Sequence, residues 1–129
     1  MVKQKKVTKA QIKKLERLAL KKQDKIWADS VKERDGWKCT FCNSVITPNA
    51  AHIIPREIKK FRHNIDNGIT LCPKHHKFSF EFSAHQNPFA FLLWFANFRT
   101  EQFTKIVYAW EHYLEELAKN KVNEQNLIK

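Results

Sequence analysis

The sequence predicts an α+β fold, and three observations support this. Residues 8–34 carry a helical pattern of apolar side chains, residues 87–119 carry two more, and short strand-like runs lie between these regions. The 129 residues are enough for one domain with a modest core. We therefore expect a single domain, 1–129. Its predicted parts are a basic helical arm at 1–35, a core at 36–86, C-terminal helices at 87–120 and a polar tail at 121–129.

The first predicted element is one long helix over residues 8–34. Thr8 is a suitable N-cap, and Gly36 is expected to end the helix. The apolar stripe is loose, and lysines cover much of the remaining surface. Its members are Ile12, Leu15, Leu18, Leu20, Ile26, Trp27 and Val31.

The central region predicts short strands that cannot be stable alone. The runs WKCTFC and SVIT have strand character, and AAHIIP predicts a strand that Pro55 stops. Residues 56–68 are polar and basic, which predicts a loop with one helical turn. GITL then predicts a short returning strand, so another interaction must hold this hairpin together.

The C-terminal third predicts two helices. In NPFAFLLWFANF, Asn87 is the expected N-cap and Pro88 the first helical residue; the segment is apolar on almost every side, which predicts a buried helix. The apolar C-terminal helices could serve as core or as a homodimer face, and residues 100–119 predict an amphipathic helix with one apolar side. That side comprises Phe103, Ile106, Val107, Trp110, Leu114 and Leu117.

Positive charge is concentrated in two regions. The net charge is +11; residues 1–25 hold ten basic side chains against two acidic ones, and residues 56–77 hold six against two. Concentrated charge of this kind favours nucleic acid as the partner, because neutralised phosphates release counterions. The side chains expected to contact phosphates are Lys13, Lys14, Arg17, Lys21, Arg56, Lys59, Lys60, Arg62 and Lys77.

Three cysteines and a histidine form two knuckles of identical spacing. Cys39-x2-Cys42 is the first, and Cys72-x2-His75 is the second. An odd cysteine count favours thiolate ligands over a disulfide framework. Together the two knuckles offer three sulfurs and one imidazole, a tetrahedral set of four donors of the kind that Zn2+ prefers. A site closed by four protein ligands predicts a structural zinc. This zinc would stabilise the hairpin and leave His76 available for another role.

The location expected from the sequence is the cytoplasm. The N-terminus lacks the apolar core and cleavage site of a secretory signal, and no apolar run approaches the roughly 20 residues that span a bilayer. We therefore predict no membrane partner.

The order of the motifs resembles the HNH nuclease family. Cys-x2-Cys is followed by HIIP, then DNGITLC, then Cys-x2-His-His, and the upstream VKERDGWKCTFC is similar to the lead-in of that family. FRHNIDNG and AHQNP are similar to a phage-associated subset, for which the location would be the host cytoplasm. The resemblance covers about residues 30–90 and implies a zinc-stapled ββα-metal core, a two-stranded hairpin followed by a helix.

The resemblance also implies a role for each matched residue. His52 matches the first His, the general base; Asn67 matches the middle Asn; and His76 matches the final His, which would bind a catalytic divalent metal such as Mg2+. His75 matches the second zinc ligand of its knuckle, usually a cysteine. The implied reaction is hydrolysis of DNA to 5′-phosphate and 3′-hydroxyl ends, for which a histidine that is neutral near pH 7 is a suitable base.

The sequence departs from the family pattern at Ala51. Many members carry there an Asp that binds the catalytic metal, so Asn67, Asp66, His85 or a DNA phosphate would have to complete the shell. Two alternatives therefore stay open: a zinc-containing DNA-binding module without catalysis, and an RNA-directed nuclease. Metal-dependent cleavage separates the first from the enzyme, and competition between DNA and RNA duplexes separates the second.

Overall fold

The computed structural model describes residues 4–128. The chain divides between Pro73 and Lys74 into two compact units, 1–73 and 74–129. The first residues of the predicted arm, 1–3, and the last residue of the predicted tail, 129, lie outside the described residues. No helix among the described residues is both long enough and apolar enough to cross a membrane.

The first unit begins with helix α1, Lys9–Arg34, which confirms the predicted helix. A capping box fixes its start, because the Gln11 amide donates to Thr8 Oγ1 and the Thr8 amide donates to Gln11 Oε1. Gly36 follows the end of the helix with φ +74°, a conformation that glycine adopts readily. The loose apolar stripe is core only near the C-terminus, since Trp27 and Val31 are buried. Its other members, Ile12, Leu15, Leu18, Leu20 and Ile26, are exposed.

A two-stranded antiparallel sheet forms the centre of this unit. Strand β1 is Asn49–His52 and strand β2 is Gly68–Leu71, paired so that His52 faces Gly68. The predicted GITL strand is confirmed, and AAHIIP is extended only as far as His52. A short helical turn, Ile65–Asn67, leads into β2 and lies within residues 56–68, where a loop with one helical turn was predicted.

The strands predicted in WKCTFC and SVIT are wrong. Residues 37–48 form turns, because Trp37, Asn43 and Thr47 all have positive φ, which interrupts extended backbone. The amide of Cys39 donates to the Ser44 carbonyl and that of Asn43 to the Cys39 carbonyl, so the first knuckle is a closed turn.

Helix α1 packs closely on β2. The buried carboxylate of Asp35 accepts a 2.9 Å hydrogen bond from the Thr70 amide, and Arg34 donates to the carbonyls of Ile65 and Gly68. These bonds tie the end of α1 to the strand that carries Cys72 at its end.

Replacing Gly68 with alanine is expected to destabilise the first unit by about 1–3 kcal/mol, the usual cost of overpacking. An added Cβ would lie 2.5 Å from Val31 Cγ2 and 2.6 Å from Trp27 Cζ2, both on α1. Urea unfolding of the two proteins measures the difference. Gly36→Ala is the control, because its Cβ has space and only the backbone is strained. Equal midpoints for wild type and Gly68→Ala would contradict the close approach.

The second unit contains a five-residue π-helical turn and two α-helices. The π turn, Lys74–Phe78, begins within the second knuckle and includes its ligand His75; α2 is Pro88–Phe98 and α3 is Thr100–Ile128. The predicted cap of α2 is confirmed, since Asn87 Oδ1 accepts from the Ala90 amide at 3.1 Å. Helix α3 continues to Ile128, beyond residue 119 where the predicted helix ended, because this stretch contains no glycine or proline.

The predicted burial of α2 is also wrong. Phe91 and Phe95 are buried, but Phe89, Leu93 and Phe98 are more than half exposed. The reason is that α2 packs on α3, and a single helical partner covers only one stripe of a helix. The stripe of α3 follows the same rule: Ile106 is buried, whereas Val107, Leu114 and Leu117 are exposed.

Candidate metal centre and active site

The two knuckles converge on one cluster of donor atoms. The sulfurs of Cys39, Cys42 and Cys72 and a ring nitrogen of His75 all lie within 4.8 Å of one another. The closed turn at residues 39–44 places the first pair, and the end of β2 places Cys72. Among residues 4–128 this is the one group of three or more such side chains with metal-ligand spacing.

The geometry of the cluster fits zinc. Cys42 Sγ and Cys72 Sγ are 3.8 Å apart, and two sulfurs at about 2.3 Å from a tetrahedral Zn2+ lie about 3.8 Å from each other. A disulfide needs a separation of about 2.05 Å, so this pair is not one. Burial lowers the pKa of His75, which favours the neutral ring that binds a metal. The Cys3His set is therefore compatible with the predicted structural zinc.

The ring of His52 is held at one edge by a hydrogen bond and on one face by stacking. His52 is the last residue of β1, and its Nε2 lies 2.9 Å from the Arg62 carbonyl oxygen. A carbonyl can only accept, so Nε2 carries the proton and the lone pair is on Nδ1. The ring also stacks on Trp27, with centroids 3.9 Å apart and planes 9° from parallel. Burial lowers the pKa of His52, and the ring is therefore neutral at pH 7.

Asn67 is fully buried and directs its amide at the backbone. Oδ1 accepts from the Ile54 amide at 2.6 Å, while Nδ2 donates to the carbonyls of Ile54 and Phe61 at 3.0 and 3.1 Å. These three bonds fasten both ends of the loop that follows His52. The interactions described for Asn67 are those of a residue that positions this loop.

His76 lies in the second unit, in the π turn, next to His85. The two rings meet edge to face with centroids 4.6 Å apart, and the His85 amide donates to the His76 carbonyl. His85 is therefore a direct neighbour of His76 within the second unit. Ala51 is 1% exposed inside the hairpin and offers no donor for a metal.

The predicted phosphate contacts differ in their surroundings. Most of them are exposed, on the first half of α1, in the loop after Pro55 and in the π turn. Arg62 differs, because Nε and Nη2 donate to the two carboxylate oxygens of Asp24 at 2.8 and 2.7 Å. This guanidinium is engaged with Asp24, so it fastens the loop to α1. The exposed ones are Lys13, Lys14, Arg17, Lys21, Arg56, Lys59, Lys60 and Lys77.

Two residues of α1 that sequence reasoning left without a functional role adjoin the site. Trp27 was predicted only as a member of the apolar stripe, and Asp24 was only one of the two acidic side chains in residues 1–25. Both contact the loop that follows His52, at separations of 37 to 39 residues along the chain. The one sequence signal for Asp24 was its position among ten basic side chains.

Comparison with known proteins finds a family match for the central segment of the chain. Residues 39–81 match the family model HNH_2, described as HNH endonuclease. The match spans both knuckles, both strands and the π turn, while α1 and the α2–α3 pair lie outside it. No curated protein and no solved structure matches the chain.

Proposed function

We propose that the chain is a metal-dependent DNA endonuclease, because its residues 39–81 match the model of the HNH endonuclease family. The observation that supports this best is the environment of His52. Burial lowers the pKa of this half-buried imidazole, so the ring is neutral. Its Nε2–H donates to the Arg62 carbonyl, which leaves the Nδ1 lone pair to accept a proton. A fixed, neutral imidazole is what a general base near pH 7 requires.

In this proposal His52 removes a proton from the attacking water. Its Nδ1 lone pair accepts the proton, while Nε2 keeps its hydrogen bond to the Arg62 carbonyl. Asn67 acts through the backbone by fixing the loop between β1 and β2, and so the carbonyl that orients the base. The products would be a 5′-phosphate and a 3′-hydroxyl.

A catalytic divalent metal, distinct from the structural zinc, would be bound by His76. When bound, such a metal stabilises negative charge on the phosphate and on the leaving oxygen. His85 is the neighbouring imidazole available to share it, which supports a site that does not depend on a carboxylate at position 51. Mg2+ and Mn2+ prefer oxygen ligands, whereas Ni2+ and Zn2+ accept imidazole readily.

DNA is the proposed substrate. The exposed lysines of α1 and of the loop after Pro55 would neutralise phosphates on either side of the scissile bond, which gives affinity without sequence readout. If the exposed apolar side chains of α2 pair two copies of the chain, the dimer would cut both strands, and a monomer would nick one. The cytoplasmic location stays a prediction.

Nicking of supercoiled plasmid tests the function. Wild type and His52→Ala are each incubated with Mg2+, Mn2+ or Ni2+, and DNA binding is measured in parallel. Cleavage that depends on both metal and His52 supports the enzyme. Tight DNA binding without cleavage in any metal supports the inactive module, which Ala51 favours. Preference for an RNA duplex in competition supports an RNA-directed nuclease.

Cleavage is expected to fall as the pH decreases below neutrality. Burial lowers the pKa of His52 from its ordinary 6.5, so the ring becomes protonated only at more acidic pH. A protonated ring cannot accept a proton, and kcat/KM should therefore decrease about tenfold per pH unit below that pKa. Initial nicking rates over a pH series at constant ionic strength measure the midpoint. A midpoint above 6.5 would contradict the role of His52 as a buried base.

A further inference from the structure

We propose that α1, which lies outside the matched family segment, is part of the catalytic apparatus: Trp27 and Asp24 are positioning residues that fix the ring plane and the tautomer of His52. The proposal rests on the proposed function for its catalytic consequence. Its structural content, a single tautomer of His52, can be measured without any cleavage.

Trp27 fixes the plane of the imidazole. Its indole is 5% exposed and stacks on His52 at 3.9 Å with the planes 9° from parallel. The indole cannot turn freely, because its Nε1 donates a 2.8 Å hydrogen bond to the Asn64 carbonyl and Val31 packs beside it over Gly68. The imidazole therefore packs on an indole that cannot rotate, and this contact keeps Nε2 directed at the Arg62 carbonyl.

Asp24 fixes that acceptor. The Arg62 carbonyl accepts from His52 Nε2, and the Arg62 side chain donates to both carboxylate oxygens of Asp24. His63, the next residue, also contacts Asp24, with Nε2 to Oδ1 at 2.8 Å. One carboxylate on α1 thus holds two consecutive residues of the loop and, through them, the carbonyl that selects the tautomer.

The same contacts suit the state that follows proton transfer. Hydrogen bonds from Arg62 foremost lower the pKa of Asp24 to about 2, so the carboxylate stays charged at any pH at which the base is neutral. Once His52 is protonated, its Nε2–H bond to the carbonyl becomes charge-assisted. The cationic ring also lies flat on an indole face, an arrangement that attracts cations. The same two contacts therefore hold the neutral and the protonated ring of His52 in one orientation.

The experiment is 15N NMR of the histidine rings in the zinc-loaded full chain, with His52 assigned by its absence in His52→Ala. Wild type should show the Nε2–H tautomer. Trp27→Ala should show mixed tautomers and a kcat lower by about 10²-fold, the cost of a small misplacement of a reacting group. Trp27→Phe keeps an aromatic face and should recover most of the Nε2–H tautomer and most of the wild-type kcat. Trp37 is an exposed tryptophan just beyond the end of α1, and Trp37→Phe is the matched control, which should change neither the tautomer nor kcat.

Asp24→Asn provides the second variant, with Asp29→Asn on the same helix as its control. Asp24→Asn removes the charge that binds Arg62 and should shift the tautomer ratio and lower kcat. In the contacts described, Asp29 pairs only with Lys25 and Lys32 of α1 itself and with no residue of the loop, so Asp29→Asn should match wild type. If Trp27→Ala fails to retain zinc and fold, Asp24→Asn with Trp27→Phe decides the question.

Two results would overturn the proposal: a wild-type tautomer ratio in both Trp27→Ala and Asp24→Asn, or wild-type kcat in both despite altered tautomers. A different result isolates the proposed function. If wild type shows the single tautomer, and the variants lose it, but no protein nicks DNA with any metal, the positioning stands and the nuclease assignment fails.

Discussion

Replacing His52 with alanine is expected to lower the nicking rate by about 10²–10⁴-fold while DNA affinity stays near that of wild type. The alanine removes the neutral ring that would accept the proton of the attacking water, and no lysine expected to contact phosphate is changed. Rates are measured on supercoiled plasmid with each divalent metal, and affinity is measured by fluorescence anisotropy on a short duplex in the absence of cleavage.

The matched control for this substitution is His112→Ala. His112 is an exposed histidine on α3 that pairs with Glu116 at 3.5 Å, so its loss changes the histidine content without altering any residue of the first unit. The His112→Ala protein should nick at the wild-type rate. Equal rates for wild type and His52→Ala would remove the chemical basis of the proposal, whereas the loss of DNA binding in His52→Ala would point to a damaged fold.

Signals local in sequence predicted the elements of this fold well. Thr8, Asn87 and Gly36 end or begin helices because each satisfies backbone groups within a few residues, and such contacts can be recognised in a short window. The knuckles were also predictable, because two pairs of equal spacing present four donors of the kind that zinc binds. The resemblance implied a helix after the hairpin, and the structure has the five-residue π turn, Lys74–Phe78, at that place.

Burial and long-range contacts could not be predicted in the same way. The composition of α2 indicated a buried helix, but burial depends on how many partners a helix has, and its sequence does not encode that number. The carboxylate of Asp24 meets Arg62 across 38 residues of chain, and no periodicity relates them. The turns at residues 37–48 were not predicted, because Trp37 and Thr47 have positive φ in the structure although both residue types favour strands.

The structural zinc is expected to contribute a large share of the stability of this chain. Strands of four residues are too short to be stable alone. Zinc binding to structural sites is worth on the order of 10 kcal/mol, which is comparable to the whole unfolding free energy of a small domain. All three cysteines of the chain are in the cluster, so no other thiol can replace a lost ligand.

Substitution of the two adjacent histidines separates this zinc from the catalytic metal. His75→Ala is expected to lose zinc and to unfold at a far lower temperature, because three thiolates alone bind the ion less tightly and the hairpin loses its tie. His76→Ala should keep one zinc per chain and the wild-type melting temperature, yet lose cleavage. Elemental analysis of the purified proteins and thermal melts followed by circular dichroism measure both. If His75→Ala retains zinc and His76→Ala loses it, His76 is the zinc ligand and His75 is the candidate for the catalytic metal. If the purified wild-type chain contains no zinc, the proposed metal centre that stabilises the hairpin does not exist.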